Sequence, residues 1–207
     1  MRLVSTLAVA GMVMGVLLVS VHRVTEPAIL AHKERVLQEA IREVLGDPVR
    51  HEVLYVIDGA LTAQLPDGVS EADAERVFLG FDGGDRPIGF AIEAGEPAFQ
   101  DVIGLIFGFD PVDGRVLGMK VLESKETPGL GDKIEKDMEF VGQFEGLVAP
   151  LVGVKAGRGT GTDPSEVDLI TGATISSRAI VRIINNALDR LRPALETYDA
   201  PGAEVGG

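Results

Sequence analysis

The 207-residue sequence contains no cysteine, which excludes disulfides, thiolate zinc sites and cysteine-held iron–sulfur clusters. It also lacks a basic excess. Its 19 Lys and Arg stand against 32 Asp and Glu, a formal net charge of −13, so it is not built to neutralise phosphates along a nucleic acid. The three histidines, His22, His32 and His51, have neither i,i+4 nor short-loop ligand spacing, and no metal site is expected. The glycine-rich run 156–165 lacks the Gly-Lys-Ser/Thr of a nucleotide P-loop, and no NAD-type glycine fingerprint occurs. No Ser/His/Asp set and no spaced carboxylate pair mark a turnover site, so no catalytic residue is assigned.

Charge is missing, too, from Leu3 to Val21. As a helix that stretch spans about 28 Å, close to the hydrocarbon thickness of a bilayer. Bulky Leu18, two positions before Ser20, makes a poor signal-peptide cleavage site, so a retained single-span anchor is expected. Arg2 lies on one side of it and Arg23 and Glu26 on the other, which leaves orientation open. Thr25-Glu26-Pro27 then opens a second, amphipathic helix, whose apolar stripe includes Ile29, Leu30, Leu37, Ile41 and Val44 and which stops at Gly46-Asp47-Pro48.

With 45% apolar residues the remainder can bury a core. Glu71 to Glu75 reads as a brief helical turn. Two stretches, Phe81 to Ile92 and Phe109 to Leu122, repeat the order strand, Asp/Gly turn, strand, and the apolar run Val102 to Gly108 links them. Successive hairpins without a crossover helix predict a largely antiparallel sheet rather than a doubly wound one. A helix is expected over Ile134 to Phe144, one or two strands over Leu147 to Val154, and a final helix that Pro193 ends or kinks. The class is therefore α+β: one N-terminal transmembrane helix, then one soluble domain with flanking helices. The expected divisions are an anchor at 1–24, a linking amphipathic helix at 25–48, the domain at 49–198 and a disordered tail at 199–207.

Asp168-Leu169-Ile170-Thr171-Gly172-Ala173-Thr174 joins a hydroxyl-rich turn to the start of the last helix. Ala179, Ile180, Ile183, Ile184, Ala187, Leu188 and Leu191, preceded by Ile175, recur there at three- and four-residue steps. Two readings of Thr174 stand together. It can cap the helix, or an anion beside it can be held by N–H groups that have no intrahelical acceptor.

A second loop, Glu126-Thr127-Pro128-Gly129-Leu130-Gly131 with Lys133, precedes that junction. The two loops, in this order behind a single anchor, closely resemble the FMN-binding subunits of membrane redox pumps. The nearest likeness is the G subunit of the Rnf electron-transport complex, with the C subunit of the sodium-pumping NADH:quinone reductase a relative. In that family a flavin transferase reads an acidic-x-x-Ser/Thr-Gly-Ala-Thr signature and joins FMN through its phosphate to the last threonine. The resemblance implies covalent FMN on Thr174, with Asp168, Thr171, Gly172 and Ala173 completing the motif and Ser176 beside it. Glu126, Thr127, Gly129 and Leu130 would approach the flavin, and Lys133 would offset its negative charge. A cysteinyl flavin link is excluded. The implied role is an electron carrier without independent turnover, partnered by the other membrane subunits of an Rnf-type complex. It would sit in the cell inner membrane as a single-pass protein, with its domain on the periplasmic side. Coupling to ion movement would belong to the assembled complex. The C subunit of a quinone reductase, a free-standing membrane-anchored flavin reductase, or a binding module whose threonine is only a cap are the alternatives.

Overall fold

The computed structural model describes residues 2–66, 68–71, 74–159 and 163–199. The tail expected to be disordered lies outside these from 200 onward, and part of the expected turn at 71–75 also lies outside. Two compact units divide at Glu39 and Ala40.

Helix α1 covers Arg2–Val44 as one element with Pro27 in its interior, so the break expected at Thr25 does not occur. Proline deprives only the Arg23 carbonyl of its N–H partner. The Thr25 hydroxyl donates to the neighbouring Val21 and His22 carbonyls at 3.0 and 3.1 Å. Its apolar N-terminal part is long enough to cross a bilayer. The apolar stripe divides in two: Ile29 and Leu30 are exposed, whereas Ala40, Ile41, Val44 and Leu45 are buried. The helix stops where the sequence indicates, with Gly46 at φ +69° and the Asp47 N–H returning to the Arg42 carbonyl at 2.8 Å.

The second unit is α+β. Strands β1 (Arg50–Ile57), β2 (Ala60–Thr62), β3 (Arg76–Phe81), β4 (Pro87–Pro97), β5 (Val102–Asp110) and β6 (Arg115–Glu123) form one sheet in the order β2-β1-β3-β4-β5-β6. Every neighbouring pair in it is antiparallel. Asp82 closes the β3–β4 turn by accepting from the Gly84 and Arg86 N–H groups, at 2.8 and 3.0 Å. Those donors, the Arg86 backbone first and its guanidinium next, hold the Asp82 carboxyl below the usual range. The apolar run from Val102 is not a linker between hairpins but β5 itself, because β4 runs on to Pro97 and turns at residues 98–101.

Alternation along β5 fixes what each face of the sheet meets. Ile103, Leu105, Phe107 and Phe109 belong to the main core with the apolar side of α4 (Thr174–Thr197), each such side chain contributing roughly 1.5–3 kcal/mol by burial. On the other face Gly80, Gly108 and Gly118 make room for Val44 and Leu45 at the end of α1. Pro193 lies inside α4 rather than ending it, and the helix runs four residues further.

The single helix expected over Ile134 to Phe144 is two, α2 (Lys133–Lys136) and α3 (Met138–Gly142). Asp137 separates them because its carboxylate accepts from the Glu139 and Phe140 N–H groups and caps α3. The region from Leu147 holds one strand, β7 (Val152–Lys155), which pairs in parallel with β8 (Glu166–Leu169). Asn185 of α4 fastens that layer by bonding both the N–H and the carbonyl of Leu151 at 2.8 Å.

Candidate functional site

Strand β8 leads through a four-residue turn into α4. The turn is tight: Gly172 has φ +85°, a conformation costly for any residue with a Cβ, and the Ala173 N–H reaches the Ile170 carbonyl at 3.1 Å. Ser177 locks it from below, its hydroxyl donating to the Ala173 carbonyl at 2.8 Å and accepting from the Ile170 N–H at 3.3 Å.

Thr174 is the first residue of α4, not its cap. Ala173 holds the capping position and has no side chain that accepts a bond, while the Thr174 hydroxyl donates backward to the Ile170 carbonyl at 3.3 Å. The first intrahelical bond is from the Ser177 N–H to the Ala173 carbonyl. Among the described residues none accepts from the N–H groups of Thr174, Ile175 or Ser176. Three donors without a partner among the described residues thus open a 24-residue helix at its positive end, where Thr174 is exposed. Of the two readings of Thr174, this geometry removes the cap.

The two loops singled out in the sequence meet here. A cleft of about 340 Å³ is lined by Glu126, Thr127, Leu130 and Gly131 from one and by Gly172, Ala173, Thr174 and Ser176 from the other. Its size falls in the roughly 300–1,000 Å³ range of small-molecule sites. Glu126 joins the loops: its buried carboxylate accepts the Ser176 hydroxyl at 2.7 Å and the Phe99 and Gln100 N–H groups at 3.1 Å each. Gly131 is required by space, since a Cβ there would lie 2.7 Å from Glu126 Cβ and Oε2. Gly131→Ala is therefore expected to displace the carboxylate and cut ligand loading at least tenfold, the effect of losing about 1.4 kcal/mol, measured as ligand bound per chain with stability followed in parallel.

Four expected site residues do not line the cleft. Asp168 lies in β8 with its carboxylate turned to the Gly159 N–H at 3.3 Å, in a separate depression with Gln143 and Glu166. Thr171 and Gly129 are both exposed on the two turns. Lys133 begins α2, partly buried and without an ion-pair partner among the described residues. Two residues not foreseen do line it: Phe99, from the 98–101 turn, and Ile175, which its periodicity assigns to the core but which is 57% exposed.

Comparison with known proteins gives the same stretch. The model of a family described as "FMN-binding domain" matches residues 99–189. The G subunit of the ion-translocating oxidoreductase complex of Pectobacterium atrosepticum is 32% identical, covering 88% of this chain and 87% of that protein. Its Yersinia pestis counterpart is 33% identical over 89% and 88%, and that of Methanosarcina acetivorans 28% over 91% and 92%. The fold resembles crystal structures of NqrC from Shewanella oneidensis (TM-score 0.56, 17% identity, covering 76% of this chain and 88% of that one) and of the C subunit of the Na(+)-translocating NADH-quinone reductase from Parabacteroides distasonis (TM-score 0.56, 19% identity, 73% and 79%).

Proposed function

The chain belongs to the family of G subunits of ion-translocating oxidoreductase complexes, and from that premise we propose that it is an electron-transfer subunit that bears FMN as a phosphoester on Thr174. The observation behind this reading is that exposed Thr174 lines the cleft at the first turn of α4, where three N–H groups have no acceptor among the described residues. Those donors and the helix dipole suit a phosphate anion on the Thr174 oxygen. Bound FMN supplies reversible electron uptake and release, while the protein sets its orientation, surroundings and access.

The ester needs an activated donor, because condensing free FMN with a hydroxyl would release water against bulk water. In our reading a flavin transferase presents a flavin pyrophosphate. The Thr174 oxygen bonds the flavin-side phosphorus, the pyrophosphate P–O bond breaks, a nucleoside monophosphate leaves and the hydroxyl proton passes to a base of the transferase. The Glu126–Gly131 loop forms the opposite wall of the cleft, and Lys133 supplies a positive charge two residues beyond Gly131. Asp168 and Thr171 do not line the cleft, which suits contact with the transferase rather than with the flavin. Protein purified from its membrane, denatured and freed of small molecules is expected to keep its yellow flavin spectrum. Colour that leaves with the small molecules would reject the covalent link.

As part of the same proposal, α1 anchors the chain once in the inner membrane beside the other subunits, and the domain lies on the extracytoplasmic side. Because the sequence has no cysteine, Val112→Cys would place a single thiol on a turn residue that is 90% exposed. Membrane-impermeant maleimide is expected to label it with only the outer membrane permeabilised. Labelling only after the inner membrane is broken would reverse the orientation.

A further inference from the structure

The turn at residues 98–101 is held far more firmly than an exposed hairpin connection needs. Before it, Arg182 of α4 bonds Glu96 at 3.0 Å and the Pro97 carbonyl at 2.6 Å, and Asn186 bonds Glu96 at 2.8 Å. Within it the Ala98 N–H meets the Asp101 carbonyl at 2.9 Å, and Asp101 pairs with Lys125 at 2.9 Å. Glu126, only 6% exposed, takes the Phe99 and Gln100 N–H groups. All this order leaves the Phe99 side chain 60% exposed, the only aromatic among the exposed large hydrophobic side chains of the described residues.

A single exposed apolar residue needs no explanation. Phe99 is not alone: Leu130, 51% exposed, and Ile175, 57% exposed, line the same cleft from two other elements. Thr174, where the unpaired N–H groups of the first turn of α4 begin, lines it too, and the cleft's carboxylate, Glu126, is already occupied by three donors. A ligand joined at Thr174 therefore meets unpaired backbone donors and exposed apolar side chains in one cleft, the chemistry of a phosphate and of a flat aromatic ring.

We propose that Phe99 is a flavin-ring contact, its phenyl group packing on the isoalloxazine of FMN borne by Thr174, and that Glu126 is the positioning residue holding Phe99 there through two backbone N–H groups. This rests on the reading of Thr174 above. Aromatic pairs favour offset or edge-to-face contact with centroids about 4.5–7 Å apart, and a tethered turn presents such a ring already ordered.

The sequence has no tryptophan, so Phe99→Trp would introduce a unique indole, which quenches flavin emission by electron transfer on contact where phenyl does not. In full-length protein made with a flavin transferase, F99W is expected to carry the complete FMN mass and to emit several-fold less than wild type or F99L. Denaturation should make the three equal. Adding Glu126→Ala to F99W should restore emission, and Glu126→Gln, which keeps an acceptor for both N–H groups, should leave it quenched. Full FMN mass with F99W as bright as wild type overturns the contact, whatever becomes of E126A. Quenching unchanged by E126A in folded, FMN-bearing protein overturns the role of Glu126. Absence of the FMN mass from every form, wild type included, overturns the Thr174 reading instead.

Discussion

Thr174→Ala is expected to give a folded, membrane-bound chain with no covalent flavin at all. The substitution removes the atom that forms the ester, and it removes little else. The hydroxyl makes one bond, a long one to the Ile170 carbonyl, and the turn is independently closed by Ser177 and by the Ala173 N–H. Alanine is also a better helix former than threonine by roughly a few tenths of a kcal/mol. Stability should therefore stay within about 0.5 kcal/mol of wild type, as for substitutions away from packed features. Intact mass should lack the increment of FMN less one water. An increment that persists in T174A would mean that another hydroxyl carries the flavin.

Gly108→Ala should be the most destabilising small change in the domain, and Gly118→Ala its control. The two glycines are directly paired across β5 and β6 and lie beneath the same residue of α1. A Cβ on Gly108 would come within 2.2 Å of the Val44 carbonyl oxygen and 3.0 Å of Leu117 Cβ, and since the first of these is backbone no rotamer change relieves it. A Cβ on Gly118 would meet Val44 Cα at 3.7 Å, an ordinary contact. We expect G108A to cost about 3 kcal/mol, the upper end of overpacking, lowering Tm by roughly 6–12 °C at this chain length. G118A should lie within about 0.5 kcal/mol of wild type. Thermal unfolding of the full-length variants in detergent measures both, and equal effects would contradict the seating of the end of α1 on this glycine row.

Much of this architecture was legible because it rests on period and punctuation. The Asp/Gly turns indicated the antiparallel hairpins, and the three- and four-residue spacing after Thr174 indicated α4. One proline misled: Pro27 read as the start of a second helix, yet it lies within a continuous one, since one missing N–H is a local loss. Pro193 read as an end or a kink, and the helix does not end there. Asp137 went unread as a break although it is a strong cap, because the apolar spacing continues across it.

The site divided along similar lines. That the Glu126 and Thr174 loops lie together could be expected from the resemblance, but how they touch could not, since Glu126 and Ser176 are 50 positions apart and only the packing of the fold brings them together. Phe99 carries no local signal of function; its exposure is a property of tethers from Glu126 and Arg182, both distant in sequence. Ile175 fits the helical stripe by spacing but lies in the first turn, where α4 reaches past the core into the cleft. Asp168 is the converse case, a motif residue adjacent in sequence whose strand turns its side chain toward Gly159.

Peptide mass spectrometry of the protein purified from its own membrane tests the central claim most directly. Trypsin should release residues 159–178, between Arg158 and Arg178, a segment whose hydroxyl side chains include Thr171, Thr174, Ser176 and Ser177. The account predicts that this peptide carries the mass of FMN less one water, with fragmentation locating it on Thr174. An unmodified peptide, or the increment on any of the other hydroxyls, would contradict it.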